Sequence, residues 1–506
     1  MRKSHYILAA LVLLAACRDA GPVGTTITNV RIIDGTGSAA EPGAVRFVGD
    51  SIVAVGDVRP ARGDSVIDGG GLVLAPGFID THSHHAGGLL RTPDALGAVS
   101  QGITTIVAGN DGSHPLPLAA QLDTLAKAGH AINVAYYAGH GSIREAVLGD
   151  DFERKATSAE VDSMAAILRR ELDAGALGLS TGLEYDPGIY SDRTEVLALA
   201  KVAASAGGRY ISHIRSEDRW FWDSIDEIIA IGREAKLPVQ VSHIKLAMVS
   251  LWGRADSLIA LMDTARARGV DITADIYPYT YWQSTLTVLF PKRDFENRRE
   301  ANLVLREISR PEGLLIGEFE ANPAYRGKTV LEISKMRRED PASTLMGLIR
   351  ESLAWEKAHP GESGETVVAT SMDEGDIAKL MAWEHTNICS DGSLNGAHPR
   401  GFGAFPRVLG KYVREEKVVS LEEAVHKMTG LSAKHVGLAR RGTIAAGQFA
   451  DLVLFDPATV ADRATPAEPH LVSTGVARVW VNGRTVWQEG APVPNRAGRV
   501  LRRQDR

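Results

Sequence analysis

Ala75-Pro-Gly-Phe-Ile-Asp-Thr-His-Ser-His-His85 decides the reading of this chain. It is a short apolar run, opened by Pro76-Gly77, that ends in two histidines one residue apart. Strand side chains alternate faces, so His82 and His84 point the same way and can grip one metal ion. Imidazole is a common zinc ligand, although His-x-His in isolation also fits a polar turn. Several later apolar runs end in His, Asp or Glu as well. That is the distribution expected when many strands point at one site.

Those runs are 77–82, 103–108, 131–137, 176–181, 210–213, 238–243, 271–276, 366–370 and 387–390. Amphipathic segments lie between most of them. In 159–174, for example, Val161, Met164, Ile167, Leu168 and Leu172 follow helical spacing. Repeated strand-then-helix spells a parallel sheet, and about eight such units spell a TIM barrel. Nine runs leave one extra, and 366–370 is the candidate. It follows a charged stretch, 290–364, that is too long for a plain loop and is expected to be an inserted subdomain or lid. A doubly wound open sheet is the alternative, but no glycine-rich dinucleotide or phosphate-binding motif supports it.

Short alternating runs flank this region at both ends. On the N-terminal side they are 26–33, 44–48, 51–55 and 65–67; on the C-terminal side they are 450–455, 476–481 and 484–487. The expected architecture is therefore α/β, a distorted (β/α)8 barrel over 76–434. A small β-sandwich is built from 26–75 and 435–506.

The first residues read differently. Arg2 and Lys3 precede an apolar run, 6–16, that is too short to span a bilayer. It closes in Leu14-Ala-Ala-Cys17, which resembles the bacterial lipoprotein signal. That resemblance implies a signal peptide at 1–17, lipidation of Cys17 and a tether at 18–25. The chain would then be exported and lipid-anchored in the bacterial cell envelope, facing the periplasm. With no Asp directly after Cys17, the outer membrane is favoured where one exists. Cys389 is the only other cysteine, so no internal disulfide framework exists and the core must supply stability. A net charge of -6 with no dense Lys/Arg stripe excludes nucleic acid as an expected partner.

Chemistry-bearing residues collect at the ends of the runs, where TIM barrels carry their catalytic groups. Ser212-His-Ile-Arg215 and Ser242-His-Ile-Lys245 each follow a run, one βαβ repeat apart. With His82 and His84, His213 and His243 make four imidazoles that can converge on metal. Asp111 lies in Gly109-Asn-Asp-Gly112 and Asp391 in Ser390-Asp-Gly392. Asp-Gly in a loop is ordinary turn chemistry. At a strand end beside a metal, however, Asp391 can take a proton from water and pass it to a leaving amine. Glu184 is a third acid near a strand end, with ligand and structural roles both open. Cys389 reads as buried packing, since nothing nearby marks it as activated.

Together, Pro76-Gly-Phe-Ile-Asp-Thr-His-Ser-His84, Gly178-Leu-Ser-Thr-Gly-Leu183, the two Ser-His-Ile motifs and Ser390-Asp-Gly392 resemble the amidohydrolase superfamily. His398-Pro-Arg400, followed by Gly403-Ala-Phe-Pro-Arg-Val-Leu-Gly410, is similar to its D-aminoacylase branch. The resemblance implies a zinc enzyme with one or two ions that deacylates N-acyl-D-amino acids or D-residue-containing dipeptides. It places the tighter zinc on His213 and His243, a second metal position on His82 and His84, and the catalytic acid/base at Asp391. It places the substrate carboxylate on Arg400 with Lys245 and Tyr277, and His398 shares the Arg400 motif. The family usually has a Cys ligand where this chain has Asp111, a harder donor. Three alternatives stay open: a cyclic-amide hydrolase, a dipeptidase, and an inactive ligand-binding lipoprotein.

Overall fold

The computed structural model describes residues 22–505. The expected signal peptide, the expected lipidation site Cys17 and the first part of the expected tether therefore lie outside the described residues. Among the described residues, no helix is long and apolar enough to cross a membrane.

Eight short strands form the barrel. They are β1 (Phe78–Asp80), β2 (Ile103–Ala108), β3 (Asn133–Tyr136), β4 (Gly178–Gly182), β5 (Arg209–His213), β6 (Val239–Val241), β7 (Ile272–Ile276) and β8 (Thr386–Ile388). All their ladders are parallel: β1 to β2 to β3 in one sheet, and β4 through β8 in the other. The two sheets meet where Ala138–Gly139, just past β3, pairs with β4. β8 and β1 share no ladder, and their seam is stitched instead by side chains and loop backbone. Asn387 Nδ2 donates to Thr81 Oγ1 at 2.6 Å, and Ser390 donates through N and Oγ to the buried Asp80 carboxylate at 2.8 and 2.5 Å. Asp391 N then donates to His82 O at 2.9 Å.

The strands are buried on both faces, as β2, β4 and β7 show along their whole length. Helices cover the outside. Ser158–Ala174 is opened by a capping box between Thr157 and Glu160, which satisfies two otherwise orphaned N–H groups. It buries Met164, Leu168 and Leu172, each worth roughly 1.5–3 kcal/mol of transfer free energy.

The sequence places an extra strand at 366–370, and the structure has Glu365–Thr370 there, outside the barrel. It is the middle strand of a small antiparallel sheet, between Tyr281–Ser284 and Leu314–Phe319. Helices Val330–Arg337 and Pro341–Ala358 belong to the same insertion. That unit thus takes in strands on either side of the 290–364 stretch.

Both termini share one nine-stranded sheet. The join is Val73–Pro76, antiparallel to Leu452–Phe455 and parallel to the end of Thr25–Ile32. Thr25–Ile32 pairs with Ser65–Asp68 over its first half and with Val73–Pro76 over its second, so the sheet divides along it. Ile27, Val45, Phe47, Leu74, Leu452 and Trp480 fill the separate core this creates.

Candidate metal centre and active site

Four imidazoles and several carboxylates meet at the C-terminal end of the barrel. His82 and His84 follow β1, and the Nε2 atom of each lies 3.1 Å from Asp111 Oδ2. Asp111 sits in the loop after β2. Gly109 and Gly112 bracket it with φ near +76°, and a Cβ on Gly109 would lie 2.2 Å from Tyr137 O, so only glycine lets this loop tuck against the chain after β3.

His213 ends β5 and His243 lies just past β6; His213 Nδ1 and His243 Nε2 are 3.1 Å apart. His243 N donates to Asp275 Oδ1 at 2.5 Å. Asp111 Oδ1 is 3.4 Å from His243 Nε2, so the two oxygens of this one carboxylate face the two histidine pairs. Asp391 Oδ1 lies 3.2 Å from His84 Nε2 and 3.6 Å from His82 Nε2. His243, Asp111 and Asp391 all have positive φ, at 34°, 54° and 50°. Non-glycine residues held there cost of order 1–3 kcal/mol each, a cost that concentrates at functional sites.

The donor set fits metal. His82, His84, Asp111 and Asp391 form one group, and Asp111, His213 and His243 a second, with the ligand atoms of each group within 4.8 Å of one another. Nitrogen and oxygen donors of this kind suit zinc. Asp111 Oδ1 is buried with no hydrogen-bond partner, which a ligating atom explains.

The electrostatics point the same way. Burial disfavours the charged forms, yet His82, His243 and His84 hold the Asp111 carboxyl well below the usual range. Burial also opposes charge on His84, but Asp111 and Asp391 outweigh it and push the imidazole up to about 10. Burial and Lys245 oppose charge on His243, and Glu217 and Asp391 push it up to about 10. The carboxylates that retain those protons would attract a divalent cation in their place. Burial pushes His213 down to about 4, leaving it neutral.

Two acids lie behind the second pair. Glu184 Oε2 is 3.0 Å from His213 Nε2, and Glu217 Oε1 is 3.0 Å from His243 Nδ1. Burial, then Asp218 and Glu217, push the Glu184 carboxyl well above its ordinary value. Glu184 thus contacts His213 at Nε2, whereas His213 Nδ1 faces His243, and Glu184, His213 and Glu217 form a third group whose ligand atoms lie within 4.8 Å of one another. The sequence reading missed Glu217, four residues past His213, and Asp275 within β7. An acid inside the strand-like run Ile272–Ile276 was the available signal for Asp275.

Arg400 opens the helix Arg400–Arg407, and its Nη1 lies 2.6 Å from Asp391 Oδ2. Its guanidinium rests 4.7 Å from the centre of the Tyr277 ring. Lys245 shares that ring, its Nζ 5.7 Å from the Tyr277 centre, but it is buried, and its Nζ donates to Glu217 Oε1 at 2.7 Å and sits 2.9 Å from His243 Nδ1. His398 Nδ1 accepts from Arg400 N at 3.0 Å, so its Nε2 carries the proton toward Tyr281 O at 2.8 Å. Cys389 is buried beside Asp275, and burial pushes its thiol well above the ordinary value, so it stays protonated. A cavity of about 380 Å³ opens over the site, reached by His84, Asp111, Asp391, His398 and Arg400 but not by Lys245 or Tyr277.

A sequence profile described as the amidohydrolase family matches residues 65–304 and 385–487. The chain is 36% identical to an N-acyl-D-glutamate deacylase of Alcaligenes xylosoxydans xylosoxydans, over 93% of this chain and 95% of the relative. It is 35% identical to a D-aminoacylase of the same organism, over 96% and 99%. Among solved structures, the N-acyl-D-glutamate deacylase of Bordetella bronchiseptica superposes with a TM-score of 0.83 at 34% identity, covering 95% of this chain and 100% of that one. That structure is complexed with zinc and a phosphonate inhibitor that mimics the tetrahedral intermediate.

Proposed function

The chain belongs to the amidohydrolase family, and from that premise we propose that it hydrolyses the amide bond of N-acyl-D-amino acids or of closely related D-residue dipeptides. With N-acyl-D-amino acids the activity is metal-dependent cleavage of a C–N bond other than a peptide bond. One observation carries the reading: Asp391 stands between the histidine cluster and Arg400, 3.2 Å from His84 and 2.6 Å from the guanidinium. That spacing suits a substrate whose amide and carboxylate are neighbours, as they are in an N-acylated amino acid.

His213, His243 and Asp111 would hold one zinc ion, and His82, His84 and Asp111 a second. Zinc bound there supplies Lewis acidity, polarising the acyl carbonyl and making water more acidic. Arg400 holds the substrate carboxylate, stiffened by the Tyr277 ring beneath it. Asp391 accepts a proton as the water oxygen bonds to the acyl carbon. It returns that proton to the nitrogen as the C–N bond breaks, releasing a carboxylate and a free amino acid. Glu217 and Glu184 orient the two histidines from behind.

Purified protein with measured zinc content, assayed against N-acetyl-D- and N-acetyl-L-amino acids and hydantoins, tests this. Turnover of the D series is expected; cleavage of hydantoins alone would reassign the enzyme to cyclic amides. On the sequence of residues 1–17 we also propose lipid anchoring through Cys17 in the cell envelope. Cys17→Ala should leave the exported protein unlabelled by a fatty-acid probe; equal labelling would dismiss the anchor.

A further inference from the structure

The cavity wall beyond Arg400 is almost without charge. Ser113, Tyr185, Gln283, Ser393 and Gly396 line it, with Asp186 at the exposed rim. A substrate held by its α-carboxylate on Arg400, with its amide at the histidine cluster, must turn its side chain toward these groups.

Each nearby cation is already committed. Lys245 is buried against Glu217 at 2.7 Å. Arg293 spends Nε and Nη2 on Asp186 at 3.1 and 2.9 Å, and its remaining donors on the carbonyls of Glu184, Thr287 and Phe290. Arg219 pairs with Asp218 and Glu300. His398 has both ring nitrogens engaged and, as a neutral ring, offers no charge. His84 faces Asp111 and Asp391. Among the described residues, Arg400 is thus the one arginine or lysine lining the cavity, and it can neutralise one carboxylate.

We propose that this enzyme selects N-acyl amino acids with neutral side chains and rejects acidic ones, with Gln283 and Asp186 as specificity-determining residues. The proposal rests on the deacylase reading above and narrows its substrate class. A second carboxylate, on a glutamate or aspartate side chain, would lose its hydration against a wall without an unpaired cation and would have to compete with Asp186 for Arg293. A carboxamide of the same shape loses far less. It can also exchange hydrogen bonds with Gln283 and Ser393, since an amide both donates and accepts.

Isosteric pairs isolate the charge. With wild-type zinc-loaded enzyme, kcat/KM for N-acetyl-D-glutamine should exceed that for N-acetyl-D-glutamate by at least about tenfold, and likewise for asparagine over aspartate. A ratio near one, or an inverted ratio, overturns the proposal. Failure to cleave any N-acetyl-D-amino acid sinks the deacylase reading and this proposal with it, so the two failures are distinguishable. Gln283→Lys adds a cation to the wall and should move the acid-to-amide ratio toward the acid by about tenfold. Because Gln283 Oε1 also accepts from His398 N at 2.8 Å, Asp186→Asn provides a second route. It removes the rim anion, releases Arg293 and should shift the ratio in the same direction. Ratios unmoved in both folded variants would show that these residues do not face the substrate side chain.

Discussion

Asp391 Oδ2 lies 2.6 Å from Arg400 Nη1, so the proposed base and the proposed carboxylate clamp are ion-paired with each other. Against the opposing effect of burial, Arg400 is the largest influence holding the Asp391 carboxyl far below the usual range. A substrate carboxylate that engages Arg400 competes with Asp391 for the same guanidinium. Binding would therefore release the base from its partner at the moment a base is needed.

Arg400→Ala should accordingly damage both kinetic constants. KM is expected to rise at least tenfold through loss of the clamp, and kcat to change as well because Asp391 loses its partner. Arg400→Lys, which keeps charge but not the planar fork, should recover only part of the loss. Steady-state kinetics on one N-acetyl-D-amino acid separates the effects. An unchanged KM in the alanine variant would remove Arg400 from substrate binding.

Asp391→Asn keeps the shape and discards the proton acceptor. A fall in kcat of roughly 10²–10⁴ is expected, with zinc content near wild type because the histidines and Asp111 remain. Comparable turnover in the variant would take Asp391 out of the mechanism.

Asp111 offers an oxygen to each histidine pair, at 3.1 Å and 3.4 Å. Asp111→Asn removes the anion and one oxygen, and should lower the zinc retained per chain after dialysis. Asp111→Cys supplies a thiolate, a strong zinc donor, and should retain more than the asparagine variant. Elemental analysis reads both directly. Equal zinc in all three proteins would deny Asp111 a ligand role.

Glu365 gives a pH dependence remote from the metal cluster. Its Oε1 accepts from Leu286 N at 2.6 Å, its Oε2 is buried without a partner, and burial pushes the carboxyl up to about 8. The folded chain holds this proton where the unfolded chain has released it. Stability from this group is thus complete below the ordinary glutamate value and fades as pH climbs to about 8. The stability of wild type against thermal unfolding should fall across that window by on the order of a few kcal/mol. Glu365→Gln should flatten the decline, and parallel curves for the two proteins would refute the assignment.

Much of this architecture was legible because β1, β5 and β6 run straight into reactive side chains. A strand that ends in His-x-His or Ser-His-Ile declares both its type and its direction. The terminal sheet was legible for a related reason, its short alternating runs recurring at both ends. Glu217 and Asp275 were not legible. Glu217 sits in a loop that brings it back under His243 only once the fold closes. Asp275 looks like a stray acid in a short buried strand until the backbone N–H of His243 points at it. Lys245 shows how much the partner matters: the family resemblance implied a substrate contact, and in the fold its ammonium lies beside Tyr277 and pairs with the loop acid Glu217. Strand-end chemistry is written locally, and what stands behind it depends on distant segments.

The stitched seam between the first and last barrel strands has a temporal meaning. Asp80 and Ser390 meet across 310 residues of chain, and their contact sets His82 beside Asp391. A growing polypeptide possesses its four imidazoles by the middle of the chain but acquires Asp391 well after them. Hydrolytic competence should therefore arise in one step, when the final strand docks, and partly built chains should carry none of it.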